Sequence, residues 1–328
     1  MQVNEKQVEQ LNKEGVNFFL SGNFSEAKKK YLQALDMLPE FPSTLNNLGM
    51  IFLQEKNYPE AETYFLKAVQ IKESSTYLLN LGHVYANMNK LEKAEEHYRK
   101  SIELDPSSLM AWKSLGSLYQ FQQKYFQSVE VWENIIEYYS NAPDFKIELA
   151  KDLIMLNEYQ QALNVLSLAT GQEHHQEKVW YYTALIHFNQ SNFGIALSSI
   201  NTALAVKPDD EESRILVAAI HLALGETDKA MMHWNYLLNV NENNHRVRTD
   251  KAVTLLANGH HKEALTEFNF VITREENNIK ALYYKALTLI EINEKLPEAK
   301  DILNMLKTGN HPFSEQAAEL LKKLDYDK

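Results

Sequence analysis

Histidine is the residue type of this chain best suited to bind a metal, and two adjacent pairs of it occur. His174 and His175 stand in the stretch EHHQE, and His260 and His261 flank a turn. A transition-metal site needs three or four ligands held on a rigid frame, and neither pair is spaced to supply them. We therefore expect solvated loop histidines and no metal site.

Two further histidines, His187 and His221, are 34 residues apart. Stacked on each other they could sense pH, but half-buried, hydrogen-bonded histidines are the simpler interpretation. The sequence contains no glycine-rich phosphate loop and no HExxH or GxSxG motif. We expect no enzyme activity and no cofactor.

The net charge of the chain disfavours some classes of binding partner. The net charge of −11 disfavours a general nucleic-acid binder, which needs a basic face, and also disfavours docking on anionic lipid. The polar N-terminus has no signal-peptide core, and no apolar run is long enough to span a membrane. The chain has no cysteine, which excludes disulfides and is compatible with a cytoplasmic location. We expect a cytoplasmic protein that inserts into no membrane.

The stretch from Ser75 to Ser108 shows which elements position the side chains. The small residues Gly82 and Ala94 and the large residues Tyr85 and Tyr98 lie on either side of a turn at Asn89. Small residues let two helices approach, and the large ones fill the space beside them. This spacing resembles the 34-residue tetratricopeptide repeat, which has the pattern W-x2-L-G-x2-Y…A-x3-F…P.

The same unit can be read nine times. Its eighth position is always Gly or Ala, its twentieth is always small, and the residue four later is large and apolar. The resemblance implies an all-α, right-handed solenoid of nine helix–turn–helix repeats with a C-terminal capping helix. The predicted segments are a polar lead-in (1–7), nine repeats (8–41, 42–74, 75–108, 109–142, 143–176, 177–210, 211–244, 245–278 and 279–311) and the cap (312–328), in which Ser314 is the expected N-cap. About 19 helices and no strands follow, in one domain, since no linker rich in Gly, Pro or Ser divides the chain.

The family resemblance places the first helix of each repeat, helix A, on the concave wall. The helix A positions not needed for packing are polar in the first half: Asn46, Asn47, Asn80, His83, Lys113, Ser114, Ser117 and Gln120. From the sixth repeat they become apolar and aromatic: Tyr181, Tyr182, Leu185, Phe188, Ile215, Leu216, Tyr283 and Tyr284. These surfaces are the candidate partner sites.

Asn47 and Asn80 share the sixth position of their repeats. They resemble the asparagine ladder of O-linked GlcNAc transferases, in which side-chain amides hold a peptide backbone. An amide both donates and accepts, so it can bond to a backbone of any sequence. The ladder here has only two rungs, so solvated asparagines or asparagines that cap a local backbone group are the alternative.

The aromatic wall is the stronger candidate. Tyr181 and Tyr182 are adjacent, so both cannot be core, and Tyr is favoured where an interface must be apolar and still form hydrogen bonds. Tyr283 and Tyr284 are further predicted anchors for a partner on this wall. The alternative is that a tight superhelix or the C-terminal helix covers these residues.

Two further tests concern charge. The Lys and Asn positions that clamp the C-terminal carboxylate of cytosolic heat-shock chaperones are not matched in any three successive repeats, so we expect no such co-chaperone role. Arg214 and Arg248 occupy the fourth position, where Trp or Leu is usual, and lie near an acidic run from Asp209 to Glu212. We expect mutual neutralisation of these charges, with an acidic partner segment as the alternative.

These observations favour a non-catalytic scaffold or adaptor that binds an extended or helical segment of a protein partner on the concave face. A regulatory peptide sensor whose superhelix tightens on its ligand is one alternative. A structural subunit of a secretion, pilus or motility assembly is another. The sequence does not define the oligomeric state.

Overall fold

A computed structural model describes residues 5–139, 143–171 and 175–326. All regular structure in these ranges is helical, with nineteen helices. The chain forms two compact units, residues 1–174 and 175–328. The sequence did not predict this division, because no change of composition marks it.

The first unit contains ten helices. They are α1 (Glu5–Leu20), α2 (Phe24–Met37), α3 (Pro42–Gln54), α4 (Tyr58–Ile71), α5 (Ser75–Asn87), α6 (Leu91–Leu104), α7 (Leu109–Phe121), α8 (Tyr125–Tyr138), α9 (Pro143–Met155) and α10 (Tyr159–Ser167).

The second unit contains the other nine. They are α11 (Gln176–Asn189), α12 (Phe193–Val206), α13 (Glu211–Ala223), α14 (Thr227–Val240), α15 (His245–Ala257), α16 (His261–Ile272), α17 (Ile279–Glu291), α18 (Leu296–Leu306) and α19 (Ser314–Tyr326). No helix in the described ranges is both long and apolar enough to cross a bilayer.

Within each unit every odd-numbered helix up to α17 is a helix A, and it packs on the even-numbered helix that follows it. Seven of the helices A begin at the predicted first residue of a repeat: α3, α5, α7, α9, α13, α15 and α17. The exceptions are α11, which begins one residue earlier, and α1, which begins at Glu5 within the predicted lead-in. Helices A of neighbouring repeats also touch, as α3 does with α5 and α15 with α17.

The alternation of small and large residues forms the core, as predicted. The large residue of each helix B is buried: Tyr31, Phe65, Tyr98, Trp132, Leu166, Ile200, Trp234, Phe268 and Leu303. In the first four repeats its ring lies against the glycine of helix A. A Cβ atom on Gly82, for example, would lie 2.5 Å from a ring carbon of Tyr98. Glycine is required there because the ring occupies the space of a side chain.

The turns inside the repeats also follow the prediction. Asn89, where the sequence predicts a turn, has positive φ, and so do the residues at six equivalent turns: Gly22, Asn157, Ser191, Gly225, Gly259 and Asn293. The other two repeats use Lys56 (φ 58°) and Gln123 (φ 57°) in the same conformation. Prolines follow three of these helices B, and each helix ends two residues before its proline, as α6 ends at Leu104 before Pro106.

Helix α19 caps the last repeat. Ala317 and Leu321 pack in one cluster with Leu289, Leu303 and Leu306, so the apolar face of the ninth repeat is covered. Ser314 is the first residue of the helix rather than its N-cap. Its hydroxyl donates to the carbonyl oxygen of Gly309 at 2.5 Å, which ties the helix start to the preceding turn.

Candidate binding surfaces

The two predicted asparagine rungs are already hydrogen-bonded to other asparagines. Asn80 is buried, and its Nδ2 donates to Oδ1 of Asn46 at 2.8 Å. Asn47 donates from Nδ2 to Oδ1 of Asn12 at 3.0 Å. This asparagine network (Asn12, Asn46, Asn47 and Asn80) joins α1, α3 and α5. The amides therefore link neighbouring repeats instead of standing free as rungs.

Three predicted site residues, His83, Lys113 and Ser117, line one open cavity between α5, α6 and α7. Its volume is about 410 Å³. The other lining residues are Ala86, Leu91, Tyr98, Met110, Ser114, Leu118 and Phe121. We call it the α5–α7 cavity. A cavity of this size with a mostly apolar lining and a few polar groups is typical of a ligand site.

The apolar wall of the α5–α7 cavity includes side chains that the sequence analysis did not single out. Met110 is 57% exposed and Phe121 is 70% exposed. Both lie on α7, together with the exposed Lys113 and Ser117. Helix periodicity alone could have found them, because Met110, Lys113, Ser117 and Phe121 follow one another three or four residues apart and so share a face.

His83 supplies a hydrogen-bonding group to the α5–α7 cavity. Its Nδ1 lies 3.0 Å from the hydroxyl of Tyr98. Burial lowers the pKa of His83, so the imidazole is neutral at neutral pH. A phenol is a stronger donor than a neutral imidazole, so Tyr98 donates to Nδ1 and the ring hydrogen lies on Nε2.

In the second unit the predicted aromatic wall is largely part of the packing. The rings of Tyr181 and Tyr182 meet edge to face with centroids 5.0 Å apart. Tyr181, Leu185 and Phe188 are half-buried against the core of α11, α12 and α13. Leu216 is only 6% exposed and belongs to that core, so its predicted place on the free wall is wrong.

Beside Tyr181 and Tyr182 lies a smaller cavity of about 150 Å³, rimmed by Glu177, Lys178, Asp210 and Glu212. Two of these carboxylates already have partners: Asp210 pairs with Lys207 at 2.9 Å, and Glu212 with Arg246 at 2.8 Å. Burial, helped by the charge of Glu212, raises the pKa of Tyr181 to about 12. The cavity is therefore small, and two of its carboxylates already have cationic partners.

The other tyrosine pair is covered. The ring of Phe313 stacks on Tyr283 with centroids 4.7 Å apart, and it meets Tyr284 edge-on at 6.0 Å. Phe313 directly precedes α19. The alternative that the C-terminal helix region covers Tyr283 and Tyr284 is thus the correct one.

Arg214 makes the same kind of hydrogen bond as Trp112, which occupies the equivalent position of the fourth repeat. Trp112 donates from Nε1 to the carbonyl oxygen of Pro106 at 2.9 Å. Arg214 donates from Nε to the carbonyl oxygen of Pro208 at 2.8 Å. In each case the acceptor lies six residues earlier, so the bond ties a helix A to the end of the preceding repeat.

The predicted neutralisation of Arg214 and Arg248 by the acidic run is not found: Arg214 bonds to a carbonyl oxygen, and Arg248 pairs with a carboxylate outside the run. Arg248 and Lys251 both pair with Glu267, Lys251 at 2.9 Å. In the acidic run, Glu211 accepts from Asn244 at 2.9 Å, and Asp209 accepts from the hydroxyl of Tyr236.

His221 is buried and hydrogen-bonded, as the simpler interpretation predicts, and its ring partner is His233. His221 stacks on His233 with centroids 5.7 Å apart and lies 2.7 Å from Glu226. Burial, together with the nearby His221 and Arg214, lowers the pKa of His233 to about 4. His187 has a buried Nδ1 with no partner among the described residues. His174 lies outside the described residues.

The sequence model of the tetratricopeptide repeat matches residues 40–107. No curated protein sequence matches the chain. A tetratricopeptide repeat protein from Parabacteroides merdae is 18% identical and superposes with a TM-score of 0.55, over 76% of this chain and 99% of that one.

Two other solved structures are similar. The C-terminal part of a TPR repeat-containing protein from Cytophaga hutchinsonii is 15% identical, with a TM-score of 0.61 over 72% of this chain and 97% of that one. A monomeric mutant of IFIT1 with Gppp-AAAA is 15% identical, with a TM-score of 0.58 over 97% of this chain and 81% of that one. At such identities the similarity shows the fold alone.

Proposed function

We propose that this tetratricopeptide repeat protein is a non-catalytic scaffold that binds a segment of a protein partner, and that the α5–α7 cavity is a contact point. The observation that carries the proposal is the convergence of His83, Lys113 and Ser117 on one open cavity beside the exposed side chains of Met110 and Phe121. Exposed apolar side chains grouped around a few polar atoms are typical of interaction sites.

The predicted aromatic wall of the second unit is less accessible. Tyr283 and Tyr284 are covered by Phe313, and Leu216 is buried. The proposal therefore shifts the principal contact from the aromatic wall to the first unit. Tyr181 and Tyr182 are secondary candidates, because they border a cavity of about 150 Å³.

Protein is preferred over nucleic acid on grounds of charge. The net charge is −11, and Arg246, Arg248 and Lys251 are paired with carboxylates. A nucleic-acid binder needs unpaired basic groups that displace counterions. IFIT1 was solved with Gppp-AAAA, so an RNA oligonucleotide belongs in the binding assays as a competing ligand.

Selection from a random peptide library displayed on phage tests the proposal. The full chain is the bait, and the double variant Met110→Ser/Phe121→Ser removes the apolar wall of the cavity. Phe126→Ser is the matched control, because Phe126 is 76% exposed on α8 and does not line the cavity. We expect clones selected on the wild type to lose binding to the double variant and to keep it with the control.

Failure to select any clone above background would contradict the proposal for this cavity. So would clones that bind the double variant as well as the wild type. Circular dichroism of each variant shows whether the helices are retained. Because the exchanged side chains are exposed, we expect unchanged spectra.

A further inference from the structure

Three polar side chains of the α5–α7 cavity, His83, Lys113 and Ser117, can donate hydrogen bonds to a ligand, whereas the hydroxyl of Ser114 already donates to the carbonyl oxygen of Met110. Lys113 is exposed and ends in an ammonium group, and Ser117 has an exposed hydroxyl. His83 presents its Nε2 hydrogen because Nδ1 is occupied by Tyr98. A set of donors is complementary to a group that only accepts, and an ionised carboxylate is such a group.

Charge points the same way. Among the described residues that line the cavity, Lys113 is the one with a formal charge at neutral pH, because burial keeps His83 neutral. The ammonium groups of Lys124 and Lys151 have carboxylate partners, at 3.7 Å from Glu95 and 2.6 Å from Glu148. Among the described residues no carboxylate is paired with Lys113. The cavity is thus a locally positive site on a chain with a net charge of −11.

The rest of the lining is apolar. Leu91, Met110, Leu118 and Phe121 surround the space, and Ala86 adds a small apolar contact. A cavity of about 410 Å³ has room for one large apolar side chain. Methionine adapts to the shape of what it contacts, so Met110 suits an aromatic ring or a branched aliphatic group.

We propose that the α5–α7 cavity binds an acidic partner segment in which a large apolar side chain stands next to an aspartate or glutamate. The apolar side chain fills the space beside Met110 and Phe121, and the carboxylate pairs with Lys113 and accepts from Ser117 or His83. This rests on the proposed function, and it adds the chemical class of the partner. The determinant is a side-chain carboxylate within the segment.

Four peptide libraries test the partner class. They carry a fixed central pair, Phe-Asp, Phe-Asn, Phe-Lys or Ser-Asp, between randomised neutral positions, and their ends are acetylated and amidated so that no terminal charge contributes. The full chain retains peptides from each library, and retention is measured at low and high ionic strength. We expect Phe-Asp to be retained at least about fivefold better than Phe-Asn, with an advantage that salt reduces.

Two charge variants complete the design. Lys113→Glu should abolish the preference for Phe-Asp and favour Phe-Lys. Lys72→Glu changes the net charge equally at an exposed residue outside the cavity, and it should leave the preference intact. The Ser-Asp library should be retained weakly in every case, because it lacks the apolar side chain.

The outcomes separate the two proposals. If Phe-Asp, Phe-Asn and Phe-Lys are retained equally by the wild type, and all are lost on Met110→Ser/Phe121→Ser, the acidic partner class is wrong while the scaffold function stands. If no library is retained, both proposals fail for this cavity. If Lys72→Glu acts like Lys113→Glu, the effect is one of net charge and the assignment to Lys113 is overturned.

Discussion

The backbone of Gly49 lies directly against the ring of Phe65: a Cβ atom at Gly49 would stand 2.8 Å from Cε1 and 2.9 Å from Cδ1 of that ring. Phe65 is fully buried, so the ring has little space to withdraw. The same contact recurs in Gly15–Tyr31, Gly82–Tyr98 and Gly116–Trp132. In each of the first four repeats, an aromatic ring of helix B thus packs in the space that a side chain on helix A would otherwise occupy.

Replacing Gly49 by alanine should therefore lower the free energy of unfolding, by a net of about 1 kcal/mol, because overpacking outweighs the helix propensity gained. Gly194→Ala is the matched control. Gly194 lies in α12 with no atom within 4 Å of an added Cβ, so this change should raise the free energy of unfolding by about 0.5–1 kcal/mol. Urea unfolding followed by circular dichroism measures both. A Gly49→Ala variant as stable as the wild type would refute the tight contact.

The asparagine network predicts a non-additive pair of mutations. Asn80→Leu leaves the buried amide of Asn46 without its donor, so we expect a loss of about 1–3 kcal/mol. Replacing both asparagines by leucine removes the unsatisfied group, and the double variant should be more stable than the sum of the two single changes predicts. Urea midpoints of the four proteins complete the cycle, and strict additivity would show that the hydrogen bond has no role.

The hydrogen bond shared by Trp112 and Arg214 predicts which residues can replace Arg214. Arg214 donates to the carbonyl oxygen of Pro208, and its guanidinium lies 3.5 Å from the ring centroid of Tyr236. Trp can both donate and stack, so Arg214→Trp should stay within about 0.5 kcal/mol of the wild type, whereas Arg214→Ala should lose about 1 kcal/mol. Thermal unfolding distinguishes them, and equal losses would mean that the bond to Pro208 is unimportant.

The ion pairs of Glu267 should make the free energy of unfolding depend on pH. Burial alone would raise the pKa of Glu267, but hydrogen bonds from Lys251 and Arg248 outweigh it and lower the pKa below 4.5. A carboxylate with a lowered pKa in the folded state stabilises the protein above pH 4.5, and this contribution is lost as pH falls through the folded-state value. Glu267→Gln should therefore cost about 1–3 kcal/mol at neutral pH, and the difference from wild type should shrink below pH 4.5.

The control for this titration is Glu276→Gln, a change at an exposed residue of the same repeat. It should leave the free energy of unfolding unchanged within about 0.5 kcal/mol at every pH. Urea unfolding at a series of pH values measures all three proteins. A deficit in Glu267→Gln that is the same at acid and neutral pH would contradict the ion-pair explanation.

The stacking of Phe313 on Tyr283 should stabilise the packing of α19 on the last repeat. Phe313→Ala removes the ring that stacks on Tyr283, and we expect a loss of about 1–2 kcal/mol. Amide hydrogen exchange should become faster in α18 and α19, while α11 and α12 keep their protection. Phe126→Ala, at an exposed ring, should change neither. Unaltered exchange in α19 after Phe313→Ala would mean that the stacked ring does not secure the cap.

Much of the fold could be predicted because the rules are local and repeat. Packing of Gly82 against Tyr98 depends on a fixed separation in sequence, and a turn at Asn89 depends on one residue type. The partners of Asn80 and Tyr283 could not be predicted in this way. Asn80 bonds to an asparagine one repeat earlier, and Tyr283 is covered by Phe313, which lies outside the repeat pattern.

The candidate site shows the same limit. His83, Lys113 and Ser117 could be assigned to one wall by their position in the repeat, and they do line one cavity. The apolar partners Met110 and Phe121 were missed because their exposure depends on how α5, α6 and α7 pack together. The pairing of Glu267 with two cations could not be read from spacing for the same reason.

The left-handed turns at Lys56 and Gln123 have an evolutionary consequence. These residues adopt a conformation that glycine and asparagine take more readily, and six of the other seven turns use one of those two. Replacing either residue by glycine would lower the conformational cost of its turn, so each turn is a position at which one substitution can raise the stability. A substitution elsewhere that lowers the free energy of unfolding slightly can therefore be offset by one substitution at either turn. Such tolerance allows the residues of a binding surface to change.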